Sequence, residues 1–292
     1  MGKKGQQIMN RHFVLLLLGI WLVGCSTAEP SVTPTTVAFA SEIQIAIATD
    51  DFTAGTPRIP FILYDGPQQV SDAQQVTLTA FNLSQDPPAP AWQGGATGYN
   101  DYEVPYWVAY PELPQAGFWG LSAEIMLSDG TATRAQFTIE VKKAAQTPDV
   151  GDEAPPSQNR TLATEPDIEK LTSGDDPIPA FYQMTVAEAV ASERPSVIVF
   201  STPAFCQTAV CAPVLRSAET VYDSLAGEVN FLHLEIYKEF NPELVLADEV
   251  AEWRLSSEPW TFVLDDEGRV AARLGGPVSP RELTAALDPL LP

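Results

Sequence analysis

Positive charge and histidine are both scarce in this chain of 292 residues. It contains 16 lysines and arginines against 38 aspartates and glutamates, and two histidines, which gives a formal net charge of −22. Proteins that bind nucleic acid carry basic patches that neutralise phosphates, so this composition excludes a nucleic-acid partner. An anionic membrane surface would also repel the body of the protein, so a link to a membrane has to come from an anchor.

Long hydrophobic runs are lacking as well, apart from one near the N-terminus. The run FVLLLLGIWLVG covers twelve residues, 13–24, which is too short to cross a bilayer as a permanent helix. Lys3, Lys4 and Arg11 precede it, and a positive start before a short apolar core is typical of a signal peptide. We therefore predict a signal peptide over residues 1–24.

The predicted signal peptide runs into the sequence LVGC at residues 22–25, which resembles the lipobox of bacterial lipoproteins. The resemblance implies cleavage before Cys25 and a lipid on its thiol, so that the mature protein is extracytoplasmic and anchored to the bacterial cell membrane. The alternative is an uncleaved signal anchor that ends at a cysteine by chance. Residues 25–40 are rich in Ser, Thr and Pro without apolar periodicity, which fits a tether.

Cysteine is the third scarce residue, with three copies in the chain. If Cys25 carries lipid, Cys206 and Cys211 remain as an even pair outside the cytoplasm, where disulfides persist. His12 leaves with the signal peptide, so His233 is the one histidine of the mature chain. These residues are too few for a structural zinc site.

Residues 41–142 have the pattern of an all-β domain. Segments such as EIQIAIA, QQVTLTAF and RAQFTIEV alternate apolar and polar residues. Turn signals separate the runs at three dipeptides, Asp65-Gly66, Gly94-Gly95 and Asp129-Gly130. The stretch 84–105 is rich in Pro, Gly and aromatics and predicts a long loop. Short strands at this spacing favour an immunoglobulin-like β-sandwich, and residues 115–141 resemble the closing strands of many extracellular sandwich domains.

The aromatic side chains of this domain allow two interpretations. They line a ligand surface, or they fill the sandwich core and cover a loop, which is the interpretation that we favour. The residues concerned are Trp92, Tyr99, Tyr102, Tyr106, Trp107, Tyr110, Phe118 and Trp119.

A second, α/β domain is predicted over residues 180–292, after an acidic, Pro-rich linker or arm at residues 143–179. The predicted order is helix, strand, helix, strand, helix, hairpin, helix. The apolar runs PSVIVFST and VNFLHLEIY are the buried central strands. Helix N-termini are predicted at three caps, each with a supporting residue: Thr185 with Glu188, Asn241 with Pro242, and Ser279 with Glu282.

This order, with a cysteine pair between the first strand and the next helix, is similar to the thioredoxin fold. The aromatic Phe205 precedes Cys206, and Pro259 precedes the strand TFVLDDEG, where thioredoxins hold a cis-proline that faces the disulfide. The resemblance implies that Cys206 attacks substrate disulfides, that Cys211 resolves the mixed disulfide, and that Pro259 shapes the edge where the substrate lies. Protein thiols and disulfides are the implied partners, with no cofactor and no metal.

The sequence also departs from thioredoxins, which have two residues between the cysteines where this chain has four. Cα atoms five positions apart in a regular helix lie about 8–9 Å apart, whereas a disulfide needs less than about 7 Å. A helix that starts at Cys206 therefore excludes a bridge. A helix that starts near Pro213, or one capped by Thr208 with Cys211 in its first turn, permits it. The strand before the motif also lacks the carboxylate that many thioredoxins bury there.

Three functions remain open from the sequence. The first is thiol–disulfide exchange, and the second is a non-catalytic binding or scaffold lipoprotein in which Cys206–Cys211 is a structural disulfide. The third is copper binding by the two thiolates, since Sco-type copper chaperones share the fold, although His233 falls within a strand. A peroxiredoxin is disfavoured because Pro203 stands where that family has its threonine.

Overall fold

The computed structural model of the protein describes residues 43–206, 208–240 and 242–291. The predicted signal peptide, Cys25 and the tether lie outside these residues, and so does the predicted cap Asn241. The described part is mostly β-structure in several sheets, with four α-helices. No helix in it is long and apolar enough to cross a membrane.

The described chain up to residue 142 contains ten strands in two five-stranded sheets. One sheet has the order β1-β3-β8-β7 with β4 paired to β3, and the other has the order β2-β10-β9-β5-β6. The strands are β1 (Ile43–Ile47), β2 (Phe52–Thr53), β3 (Ile59–Asp65), β4 (Gln68–Gln69), β5 (Ala73–Asn82), β6 (Pro90–Gly95), β7 (Thr97–Tyr99), β8 (Tyr106–Ala109), β9 (Gly117–Leu127) and β10 (Ala132–Lys142). We call these two sheets and their connections the sandwich.

One apolar core lies between the two sheets. In β5 the side chains of Val76, Leu78 and Ala80 are buried, while the threonines between them are half-buried. Phe61 from β3 and Trp107 from β8 join the same core from the other sheet. The period-2 alternation therefore places one apolar face of each sheet inward, as the sequence predicts.

The stretch predicted as a long loop contains two strands instead. β6 pairs antiparallel with β5 at the edge of its sheet, and β7 pairs with β8. A sheet edge accepts Pro90 at the start of a strand, because no neighbour needs its missing N–H on the open side. Trp92 packs against the core and lies over Gly94, where a larger residue would collide with the indole ring. The Pro- and Gly-rich composition that predicts a loop is therefore compatible with an edge strand, β6.

The second part of the chain is built around a four-stranded sheet. The order is β12-β11-β15-β16, with β11 parallel to β12 and antiparallel to β15. Its elements are α1 (Val186–Val190), β11 (Ser196–Ser201), α2 (Cys211–Leu225), β12 (Asn230–Glu235), β13 (Tyr237–Glu239), β14 (Val245–Leu246), α3 (Asp248–Glu252), β15 (Trp260–Leu264), β16 (Val270–Gly275) and α4 (Pro280–Leu287). We call this region the α/β part. Apart from the β13–β14 pair, its elements follow the order that the sequence predicts.

The third predicted helix, over residues 241–255, is wrong for its first half. The segment turns back so that β14 pairs with β13, with Leu246 opposite Tyr237. The helix then starts after Ala247 and has five residues. An Asn-Pro dipeptide is typical of turns as well as of helix caps, and the described strands on either side of this one, β13 and β14, pair with each other.

Two predicted caps are found, and one of them is built differently from the prediction. Thr185 and Glu188 form the complete capping box at α1. Ser279 caps α4 by accepting from the Glu282 backbone N–H at 3.2 Å. The Glu282 carboxylate does not return the bond, and the Ser279 N–H donates to the Tyr106 hydroxyl at 2.8 Å instead. A sandwich residue thus completes the cap of a helix in the α/β part.

Glu282 is the centre of a buried contact between the sandwich and the α/β part. Arg58 donates to its two carboxylate oxygens at 2.7 and 2.9 Å, and the Tyr106 hydroxyl donates at 2.5 Å. The side chains of Arg58 and Glu282 are 7% and 5% exposed, so water cannot replace either partner. Both residues are charged, and each needs the other because an unpaired buried charge is costly.

A second buried contact joins Asp51 of the sandwich to β16. The Asp51 carboxylate accepts from Arg273 and from the backbone N–H groups of Gln146 and Thr147, both at 3.0 Å. Burial opposes ionisation of this carboxyl, but the two N–H donors and Arg273 outweigh it and lower the pKa of Asp51. The segment predicted as a linker therefore packs against both parts near its start, and Thr147 is fully buried.

We predict that Arg58→Met lowers the free energy of unfolding by about 3–5 kcal/mol, because it leaves the Glu282 carboxylate buried without its cation. Urea unfolding of the variant measures the loss. The double variant Arg58→Met/Glu282→Leu should recover most of it, since no buried charge then remains unpaired. Lys170→Ala serves as a control, because Lys170 is 61% exposed and its ion pairs are worth less than about 1 kcal/mol. A loss below about 1 kcal/mol for Arg58→Met would contradict this account.

Candidate functional site

The two cysteines lie where β11 ends and α2 begins. Cys211 is the first residue of α2 and is fully buried, whereas Cys206 lies in the loop before the helix and is half-buried. A disulfide joins them, with their Cα atoms 6.0 Å apart. This is the predicted arrangement with Cys211 in the first helical turn and Cys206 outside it, except that Val210 and not Thr208 is the N-cap residue.

The two sulfurs differ in what surrounds them. The Cys206 Sγ lies 3.3 Å from the Thr208 hydroxyl, near the surface. The Cys211 Sγ lies at the N-terminus of a helix of 15 residues, whose unpaired N–H groups stabilise a negative charge. Complete burial of Cys211 opposes this effect, because it disfavours the charged form. The pair therefore has one sulfur near the surface and one that is enclosed.

Pro259 and the residue before it form the next part of the site. The Glu258–Pro259 peptide bond is cis, and the Pro259 carbonyl accepts from the Gly276 N–H at 2.9 Å. Pro259 is buried, and Glu258 is half-buried.

Glu258 is a site residue that sequence reasoning missed. One of its carboxylate oxygens and the sulfurs of Cys206 and Cys211 all lie within 4.8 Å of one another. Desolvation raises the pKa of Glu258 above its ordinary value. The sequence shows an acidic residue directly before the predicted cis-proline. It does not show that the chain folds back so that this carboxylate lies near the cysteines, because that contact is distant in sequence.

Among the residues that the structure describes, these same three side chains form a group that could hold a metal ion. Two thiolates and one carboxylate, when the disulfide is reduced, provide three ligands of the types that zinc and copper accept. His233 is not among them.

His233 lies inside the sheet, on β12, and is 3% exposed. Its Nδ1 is 2.8 Å from the Tyr182 hydroxyl, and its Nε2 is 2.9 Å from the Ser201 hydroxyl. Burial lowers the pKa of His233 to about 4, so the ring is neutral at physiological pH. These partners make it a satisfied histidine within the sheet, as its place in the sequence predicts.

A buried carboxylate exists near β11, although that strand has none. Glu235, at the end of the neighbouring strand β12, is 6% exposed and accepts from the Ser173 N–H and hydroxyl at 2.9 and 2.7 Å. Desolvation raises the pKa of Glu235 more than the hydrogen bonds from Ser173 lower it. From the sequence, Glu235 is predicted to lie within a strand, and no role is predicted for it.

Aromatic side chains lie beside Cys206. Phe205 is 37% exposed, and its ring lies 6.3 Å from the ring of Tyr237 and 5.9 Å from that of Phe240. A separate cavity of about 290 Å³ is lined by Ala204, Ala212 and charged side chains of both signs, and neither cysteine is among its lining residues. The surface next to Cys206 can therefore accept apolar side chains.

Comparison with known proteins found several similar solved structures, two of which are compared with this chain. No protein-family model matches the chain, and no curated protein matches it. One similar structure is CopC from Methylosinus trichosporium OB3b, at 12% identity over 34% of this chain and 89% of that chain, with a TM-score of 0.25. The other is a thiol:disulfide interchange protein of the thioredoxin family from Chlorobium tepidum TLS, at 15% identity over 37% of this chain and 86% of that chain, with a TM-score of 0.31.

Proposed function

We propose that this protein is a lipid-anchored, extracytoplasmic lipoprotein with a thioredoxin-like α/β part, and that it exchanges thiols and disulfides through Cys206 and Cys211. The observation that carries the proposal is the asymmetry of the pair. Cys206 is half-buried in a loop beside the exposed ring of Phe205, and Cys211 is enclosed at the start of α2. An exchanging pair needs one accessible thiol that attacks and one protected thiol that resolves.

The reaction begins with the reduced pair. The Cys206 thiolate attacks one sulfur of a substrate disulfide, forms a mixed disulfide and releases one substrate thiolate. The Cys211 thiolate then attacks the Cys206 sulfur and releases the second substrate thiolate. The substrate gains two electrons, and the protein ends with the Cys206–Cys211 disulfide that the structure contains. A dithiol reductant returns the protein to its starting state, and an oxidised protein runs the same steps in reverse.

Glu258 accepts the proton of Cys211 in this scheme. A buried thiol must lose its proton before it attacks, and the carboxylate of Glu258 lies within 4.8 Å of the Cys211 sulfur. The raised pKa of Glu258 brings it closer to the pKa of a thiol, which favours proton transfer between the two. Glu258 would thus take the role of the carboxylate that many thioredoxins bury in the strand before their cysteine motif.

The lipid anchor is the part of the proposal that depends on sequence alone. It is supported by the positive start, the short apolar run and the LVGC motif that ends at Cys25. Such an anchor would hold the acidic protein at a membrane whose surface charge repels it.

Two other functions use the same residues. A structural disulfide is supported by the complete burial of Cys211, which protects the bridge from reductants. Copper binding is supported by the grouping of the two sulfurs with Glu258, although this set lacks the histidine of Sco-type chaperones.

We predict that the Cys211→Ser variant accumulates a mixed disulfide at Cys206 when the reduced full-length protein meets a disulfide-bonded peptide. The attack still occurs, but no second thiol resolves the product. Mass spectrometry of the intact protein measures the adduct. The matched Cys206→Ser variant should form little adduct, because Cys211 is fully buried. Equal adduct formation by both variants, or none by either, would count against the proposal.

We predict that Glu258→Gln slows resolution of the mixed disulfide by about tenfold or more at pH 7, because the amide cannot accept a proton. The difference from wild type should shrink toward pH 9, where the Cys211 thiol ionises without help. Stopped-flow fluorescence or quenched mass spectrometry gives the rates.

Glu239→Gln is the control for this prediction, since it removes the charge of an exposed acid near Phe240. If Glu239→Gln and Glu258→Gln slow the reaction equally, or if the ratio to wild type does not change with pH, Glu258 is not the proton acceptor.

A further inference from the structure

Val210, the residue directly before Cys211, packs on the outer face of the sheet β1-β3-β8-β7 and not in the core of the α/β part. It is 3% exposed and packs in one cluster with Ile62, Tyr99, Tyr106 and Val108. All four are sandwich residues, from β3, β7 and β8. The loop that carries the cysteines therefore packs against the sandwich at the end next to Cys211.

The local sequence around Val210 supports this interpretation. An N-cap residue is normally Ser, Thr, Asp or Asn, whose side chain accepts a backbone N–H of the first turn. Val210 makes no such bond, and the residue before it, Ala209, has a φ of 57°. A valine at an N-cap and an alanine in the left-handed region are both locally unfavourable. Such conflicts with local preference are expected where a residue serves another contact.

The four-residue gap between the cysteines has a use in this arrangement. A two-residue gap would keep the chain within the first helical turn, whereas the longer loop lets Val210 reach the sandwich before α2 starts. The four residues between the cysteines, two more than in thioredoxins, then supply the chain length for the contact of Val210 with the sandwich.

The other side of the site is also held by the sandwich. The Asp50 carboxylate, in the segment after β1, accepts from the Ser256 hydroxyl at 3.1 Å and from the Ser257 hydroxyl at 3.0 Å. These serines directly precede Glu258 and Pro259 in the chain. These two hydrogen bonds to Asp50 thus fix the position of the loop that brings the Glu258 carboxylate to the sulfurs.

We propose that the sandwich positions the redox site from both sides, with Val210 holding Cys211 and Asp50 holding the loop of Glu258 and Pro259. Both are positioning residues, since neither touches a reacting atom. The inference rests on the proposed exchange through Cys206 and Cys211, and it gives the sandwich a part in that reaction. Removal of either contact should change the redox behaviour of the dithiol more than it changes the stability of the fold.

The first test uses the full-length protein and compares Val210→Ala with Val76→Ala. Both substitutions remove the same atoms from a buried valine, but Val76 lies in the sandwich core between the sheets. The readout is the equilibrium constant for disulfide formation, measured by equilibration with glutathione. We expect Val210→Ala to lower it by about three- to tenfold, because a loosened Cys211 has a lower effective concentration at Cys206. We expect Val76→Ala to stay within about twofold of wild type.

Val210→Ile keeps an apolar side chain at this position and should restore a value close to that of wild type. An unchanged constant for Val210→Ala overturns the role of Val210, and so does an equal shift for Val76→Ala. This equilibrium needs no catalysis by the protein. It therefore tests the positioning even if wild type fails to exchange disulfides with a peptide, an outcome that would sink the proposed function alone.

The second test compares Asp50→Ala with Asp72→Ala. Asp72 is an exposed sandwich aspartate that accepts from a serine hydroxyl, that of Ser128 at 3.0 Å, so the same type of bond is lost. We expect Asp50→Ala to slow resolution of the mixed disulfide by about three- to tenfold at pH 7, as a displaced Glu258 accepts the proton less well. Asp72→Ala should match wild type. Equal rates for the two variants overturn the role of Asp50.

Discussion

The buried ion pair between Arg58 and Glu282 constrains how the sandwich and the α/β part can pack against each other. Its two charges come from residues 224 positions apart, and neither has water as an alternative partner. Burial of either charge alone would cost several kcal/mol, so the sandwich and the α/β part bury these groups together or not at all. Tyr106 extends the contact by donating to Glu282 and accepting from the Ser279 N–H.

The relation between the two parts bears on the proposed chemistry because the cysteine pair lies beside the same contact region. Val210 packs against Tyr106, the residue that binds Glu282, and Asp50 is the neighbour of Asp51, which binds Arg273. The charges that join the two parts and the contacts that flank the cysteines therefore come from the same strands and loops.

Local sequence predicted the elements well and the contacts between them poorly. Alternation in β5 and the apolar runs of β11 and β12 identified strands, and Thr185 with Glu188 identified the start of α1, because each signal lies within a few residues. The role of Glu282 as a partner of Arg58, and the approach of Glu258 to the sulfurs, depend on residues far away in the chain. Local patterns contain no such information. The β13–β14 pair was missed for a related reason, since a turn and a helix cap share the same residue types.

In the proposed function, Cys206–Cys211 is a working redox pair and not a permanent bridge. The reduction potential of this pair in the full-length protein, obtained by equilibration with dithiol buffers of known potential, separates the two. We predict a value within the range of exchange proteins, between about −270 and −120 mV. A value below about −300 mV would show a permanent bridge, because structural disulfides of secreted proteins lie there.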